Sequence, residues 1–155
     1  MTGVQTCALP ISFADPFEIR TPHLAKKIAA GVEFIQTQCI YNLEKFELWM
    51  QQACDRGLHE QVHILAGVTP FKSAGMAKYM KNRVPGMDVP DEVVKRMAGV
   101  PKEKQAEEGI NICVETIERL KECEGVSGFH IMAIEWEEKV PGIVERSGLY
   151  PRPKV

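Results

Sequence analysis

The sequence has no apolar run near the roughly 20 residues that a membrane-crossing helix needs. It also has no basic block: Lys and Arg alternate with Asp and Glu along its length, and the net charge is -2. A surface that tracks a nucleic-acid backbone needs clustered positive charge, so that class of function is set aside. Paired cysteines are missing too. Cys39, Cys54, Cys113 and Cys123 are scattered with no CxxC spacing, which reads as reduced and mostly buried thiols instead of a disulfide or zinc framework. There is no secretory signal, no internal repeat and no low-complexity tract. With 45% hydrophobic residues, the composition is that of one globular unit, and the cytoplasm is its expected location.

The first residues stand apart. Residues 1–11 (MTGVQTCALPI) carry no charge and neither helical nor strand periodicity. They have no basic start, and Thr6 and Pro10 interrupt a short apolar part, so they are no signal peptide. Their reverse translation from a GTG start resembles a common sequencing-library adapter, with Ser12 as the junction codon. Residues 1–12, Cys7 included, are therefore read as a non-native, disordered artefact, and 13–155 as the native unit.

From Phe13 onward helical and strand signals alternate. Thr21 before Pro22 is the expected cap of a first helix whose stripe is Leu24, Ala25 and Ile28 and whose stop is Gly31. A strand at 33–38 (EFIQTQ) leads to Asn42, the cap of a helix over 43–56 with Phe46, Trp49, Met50 and Ala53 inward. The next strand, 62–66 (VHILA), is apolar almost throughout, as a parallel strand covered on both faces should be. Helical stretches follow near 73–82 and after Pro90, then a long amphipathic helix over 102–123 with Ile110, Cys113, Val114, Ile117 and Leu120 on one face. A third strand, 128–134 (GFHIMAI), and a helix over 137–146 complete the chain. This order predicts an α/β fold with parallel strands and crossover helices. Three strands are too few to close a barrel that takes about 250 residues, so the prediction is the C-terminal part of a (β/α)8 TIM barrel with three parallel strands and flanking helices.

Active sites of such barrels lie at the C-terminal ends of the strands. Those ends here are polar: Gln36, Thr37 and Gln38 on the first strand, Thr69 after the second, Glu135 and Trp136 after the third. Gln36 and Gln38 share a face by the period of two. Buried amides need partners for donors and acceptor alike, and either loop backbone or a ligand with alternating donors and acceptors can provide them.

The run Lys26-Lys27-Ile28-Ala29-Ala30-Gly31-Val32-Glu33-Phe34-Ile35-Gln36-Thr37-Gln38 resembles the helix-to-strand passage of methylenetetrahydrofolate reductases. Ile64-Leu65-Ala66-Gly67-Val68-Thr69-Pro70 resembles that family's next strand, and Gly125-Val126-Ser127-Gly128-Phe129-His130 its last. The resemblance implies a cytoplasmic flavoprotein of one-carbon metabolism that passes a hydride from reduced FAD to 5,10-methylenetetrahydrofolate, giving the 5-methyl folate used to make methionine. It further implies cofactor contacts from His23, Lys26, Lys27 and Gln36, and folate contacts from Gln38, Phe71 and Glu135. Phe71 is the aromatic nearest Ala74, the position that corresponds to a ligand-stacking ring in the family. Glu135-Trp136 stands where better-known bacterial relatives carry an amide and an arginine, which points away from NADH and toward an electron-donor partner protein. The complete protein is expected to be a homo-oligomer, with its proton-donating glutamate and most flavin-ring contacts on earlier strands. No catalytic residue is assigned within 13–155, and this stretch alone is expected to be inactive.

One motif competes with this reading. His59-Glu60-Gln61-Val62-His63 fits HExxH, a zinc pattern that requires both histidines on one helical face. Gly57 ends a helix before it and His63 opens a strand, so the two histidines fall in different elements and no metal is assigned. His130 is read as an inward polar residue near the site or a satisfied core histidine. Two other functions fit the same strand ends: a pterin- or flavin-binding barrel without reductase activity, and an inert half-barrel that covers its open edges by dimerising.

Overall fold

The computed structural model describes residues 8–9 and 17–151. Four parallel strands form one sheet in chain order: β1 (Ala8–Leu9), β2 (Phe34–Cys39), β3 (His63–Val68) and β4 (Val126–Ile131). Six helices accompany them: α1 (Arg20–Ala29), α2 (Leu43–Cys54), α3 (Ala74–Arg83), α4 (Asp91–Ala98), α5 (Gln105–Lys121) and α6 (Val140–Arg146). Strands that follow one another in sequence lie side by side, and helices make the long crossovers that parallel pairing requires. This is the winding of a (β/α)8 barrel, of which the chain forms a part.

The three six-residue strands are the three expected. The short β1 is an addition, and it falls inside the segment expected to be without structure. Ala8 lies opposite Gln36 and Leu9 opposite Thr37, where their backbone groups pair with one edge of β2. The other residues of 1–12 lie outside the described residues, apart from this pair.

Local chemistry decides the start of one helix and not of another. Asn42 caps α2 as expected: its Oδ1 accepts from the Lys45 amide at 3.0 Å. Thr21 does not cap α1. A turn of 3-10 helix at Phe17–Ile19 carries the chain straight into a helix that begins at Arg20, so Thr21 lies within the first turn, and its hydroxyl donates to Gln52 Oε1 at 3.0 Å. Pro22 is tolerated there because a first-turn amide has no intrahelical acceptor.

The main core lies between the sheet and α1, α2, α5 and α6. Phe46, Trp49, Met50 and Ala53 of α2 are buried with Ile35 of β2, Ile64, Ala66 and Val68 of β3, and Cys113, Ile117 and Leu120 of α5. Full burial of each large apolar side chain contributes roughly 1.5–3 kcal/mol, which is why the stripes predicted these helices well. A second cluster, with Cys39, Tyr41, Phe71, Met80, Met97 and Ile112, packs the α3–α4 pair over the C-terminal ends of β2 and β3. Here α5 comes very close to the chain after β3: a Cβ on Gly109 would lie 1.8 Å from the Phe71 carbonyl oxygen.

Packing also settles which way each strand residue faces. Ile35, Ile64, Ala66, Val68, Phe129 and Ile131 contact the helix-side core. By alternation, Phe34, Gln36 and Gln38 of β2, Leu65 and Gly67 of β3, and Gly128 and His130 of β4 face the opposite, inward side of the barrel wall.

Candidate functional site

The inward side carries a polar group at its centre. Gln36 on β2 and His130 on β4 approach to 3.4 Å between Nε2 atoms, although β3 runs between them. Glycine helps make this possible: the β3 residue opposite His130 is Gly67, so no side chain of β3 stands beside the imidazole at that position. The amide nitrogen can only donate, so His130 Nε2 accepts, and the ring hydrogen then sits on Nδ1. That Nδ1 is buried and has no hydrogen-bond partner among the described residues. Gln38, half-buried, stands two residues further along the same face.

Below this face the strand ends are locked. Thr37 Oγ1 donates to the Gln38 carbonyl and accepts from the Gly67 amide, both at 2.9 Å, across a register shift between Gln36 and Cys39. A Cβ on Gly67 would meet the Thr37 and Gln38 carbonyl oxygens at 2.5 and 2.8 Å. Thr69, expected as a polar strand end, is buried and pairs its hydroxyl with Cys39 Sγ at 2.9 Å. Its role is structural. Burial raises the pKa of the Cys39 thiol and pushes the Cys113 thiol up to about 12, so neither is a nucleophile near neutral pH.

Phe71 is placed differently from the expectation. Its ring is fully buried and stacks on Tyr41 at 4.5 Å between centroids, so no face is open to a ligand. The reason is local: three residues past the end of β3, the chain turns under α5 at Phe71, and the apolar ring fills that corner.

Glu135 does sit at the rim. It is exposed, and its φ of +51° is unusual for a residue with a side chain. Lys72 Nζ donates to its carbonyl oxygen at 2.9 Å and lies 6.0 Å from the centre of the Trp136 ring. This bridge ties the loop after β3 to the loop after β4. Sequence reasoning missed Lys72; its position in the loop after β3, beyond the polar strand end, was the available signal.

His23, Lys26 and Lys27 lie on α1, which runs back toward the start of β2. His23 and Lys26 are exposed and Lys27 is half-buried. The lysines occupy the last turn, so they stand toward the N-terminal end of β2, whereas Gln38 is near its C-terminal end. A ligand that used both would have to extend along much of a six-residue strand, about 20 Å.

The HExxH histidines are separated as expected. His59 lies in a turn, while His63 is the exposed first residue of β3. Among the described residues no helix is long and apolar enough to cross a membrane.

Comparison with known proteins gives the family. The family described as Methylenetetrahydrofolate reductase matches residues 12–148. Methylenetetrahydrofolate reductase 2 of Schizosaccharomyces pombe is 30% identical over 135 residues, which cover 83% of this chain and 21% of that protein. Methylenetetrahydrofolate reductase 2 of Saccharomyces cerevisiae is 27% identical over 132 residues, with the same two shares of 83% and 21%. The chain thus spans about a fifth of the length of these relatives. Among solved structures, an uncharacterized protein from Clostridium thermocellum that binds two copies of 5-methyl-5,6,7,8-tetrahydrofolic acid aligns with a TM-score of 0.53 at 17% identity. The alignment covers 84% of this chain and 47% of that one, and it shows the shared fold. With most of its length matched by the family, the chain belongs to the methylenetetrahydrofolate reductases.

Proposed function

We propose that this chain forms the folate side of a flavin-dependent reductase that converts 5,10-methylenetetrahydrofolate to 5-methyltetrahydrofolate. One observation supports this above the others: Gln36, Gln38 and His130 gather on the inward face at the strand ends, with a buried imidazole nitrogen that has no partner among the described residues. Such a set of donors and acceptors suits the edge of a pterin or a flavin, both of which alternate ring nitrogens with carbonyls. The structural neighbour's binding of a reduced folate supports the same ligand class.

Within that reading the donor set fits both ring systems, and each residue has a part. Gln38 holds the pterin edge, and Gln36, oriented by His130, holds the flavin edge. His23, Lys26 and Lys27 lie on α1 at the helix side, toward the N-terminal end of β2, so this donor set does not include them. When bound, reduced FAD supplies the hydride. The protein's own contribution is positioning: paired amides fix two flat rings against each other, which converts an encounter into a held geometry. Glu135, with its backbone held by Lys72, borders the outer end of the folate. The electron donor that reduces the flavin is a separate protein, and the complete enzyme is a cytoplasmic homo-oligomer.

The test is anaerobic mixing of the complete protein, loaded with reduced FAD, with 5,10-methylenetetrahydrofolate. Reoxidation of the flavin with formation of 5-methyltetrahydrofolate is expected. Folate binding without reoxidation would instead establish a second reading, a folate-binding barrel without reductase activity, which the structural neighbour's bound 5-methyl folate also fits.

A further inference from the structure

At the other end of the sheet, four side chains of metal-ligating type converge from three segments. Cys54 closes α2, His59 lies in the turn before β3, and Cys123 and Glu124 lie in the turn between α5 and β4. Ligating atoms of Cys54, His59 and Glu124 all lie within 4.8 Å of one another. Both thiols point at one atom: Cys54 Sγ and Cys123 Sγ donate to the Glu124 carbonyl oxygen at 3.6 and 3.9 Å. The His59 side chain is only 17% exposed, its Nε2 stands 3.9 Å from Glu124 Oε1, and its Nδ1 is buried with no partner among the described residues. Gly125, at φ +85°, lets the turn close on this histidine, since a Cβ there would lie 2.8 Å from His59 Cβ.

Protein contacts alone serve these groups poorly. The imidazole and carboxylate are too far apart for a hydrogen bond, and two thiols share one carbonyl as weak donors. We propose that Cys54, His59, Glu124 and Cys123 form a binding site for a zinc-class divalent cation. Two sulfurs, one imidazole nitrogen and one carboxylate oxygen are a donor set that favours zinc in tetrahedral geometry. Ligand atoms around a tetrahedral zinc stand roughly 3.4–3.8 Å apart, so Cys54, His59 and Glu124 have to close by up to about 1 Å, and Cys123, which lies outside their 4.8 Å group, has to turn in to complete the set. On binding, each thiol gives its proton to solvent and becomes a thiolate, and the metal takes no electrons. The site pins the end of α2 and the α5–β4 turn at the N-terminal ends of the strands, the end of a barrel where fixed geometry serves stability instead of chemistry.

The experiment titrates Zn²⁺ and Co²⁺ into the full chain carrying Cys7→Ser, stripped of metal under reducing conditions. One equivalent should bind, with a rise in thermal midpoint and, for cobalt, the visible bands of a tetrahedral thiolate complex. His59→Gln should weaken binding by about tenfold or more. Glu124→Gln should do the same, and because that side chain is 81% exposed, this variant keeps the fold. The sulfur-to-cobalt band should fall by about half in Cys123→Ser, as one of two thiolates is lost. No saturable binding at micromolar metal, or binding unchanged in both His59→Gln and Glu124→Gln, overturns the site. An unchanged sulfur band in Cys123→Ser removes Cys123 from it.

Discussion

Single residues decide whether the inward face can hold a flat ligand. Gly67 is the most exacting of them, because a methyl group there would press on the backbone carbonyls of Thr37 and Gln38 at 2.5 and 2.8 Å. Gly67→Ala is expected to cost about 1–3 kcal/mol of stability by overpacking and to displace Gln38; a denaturant midpoint equal to the wild type would contradict it. Buried thiols set a second expectation. Burial pushes the Cys113 pKa from its usual 9.0 up to about 12. The folded state therefore keeps its proton where the unfolded chain releases it. The stability tied to this group is present in full below pH 9 and is lost as the pH rises toward about 12. Thermal midpoints measured across that window should fall less steeply in Cys113→Ala than in the wild type. The sequence showed Gln36 and Gln38 on one face because a period of two is local. It did not show that His130 meets Gln36 across β3 where Gly67 leaves room, or that Thr69 and Phe71 are consumed by packing, since those contacts join residues far apart in the chain.

Among the elements, α2 was the most legible. Its cap and its apolar stripe follow from nearest neighbours in sequence and the structure repeats them, while the helix ends at Cys54, two residues before the expected end, in a turn that closes at Gly57 with φ +62°. Asn42 does more than cap: its Nδ2 also donates to Asp88 Oδ2 at 3.2 Å, and Lys45 Nζ bonds the same oxygen at 3.0 Å. The start of α2 is thereby tied to the chain between α3 and α4. Asn42→Ala should lower stability by about 1 kcal/mol or somewhat more, the usual cost of a cap plus the lost bond to Asp88; a thermal melt indistinguishable from the wild type would deny both roles. For α1 the reading failed because Thr-Pro is a start signal only when the chain before it is extended, and here a 3-10 turn precedes it. Along α5 the stripe was visible, but not the need for glycine at position 109. Gly109→Ala would place a Cβ 1.8 Å from the Phe71 carbonyl and should force α5 away from the loop after β3, with a marked drop in thermal midpoint. A melt like that of the wild type would show that the contact is slack.

Over the whole molecule, alternation of strands and helices was enough to give part of a (β/α)8 barrel, because burial on both faces of a parallel sheet leaves a plain mark in sequence. The same alternation places two kinds of chemistry at opposite ends: amides and an imidazole at the C-terminal ends of the strands, thiols and an imidazole at their N-terminal ends. Isolated spacing could not foresee the second group, since Cys54 and Cys123 are brought together only by the α5–β4 turn. The central claim is that the first group receives a folate through Gln38. Its most direct test is the affinity of the complete protein for 5-methyltetrahydrofolate, measured by calorimetry for the wild type and for Gln38→Ala. Loss of the amide should leave a pterin group unpaired and weaken binding by about 1 to 3 kcal/mol, roughly five- to 150-fold. Equal affinity in the two proteins would contradict the account and remove Gln38 from the site.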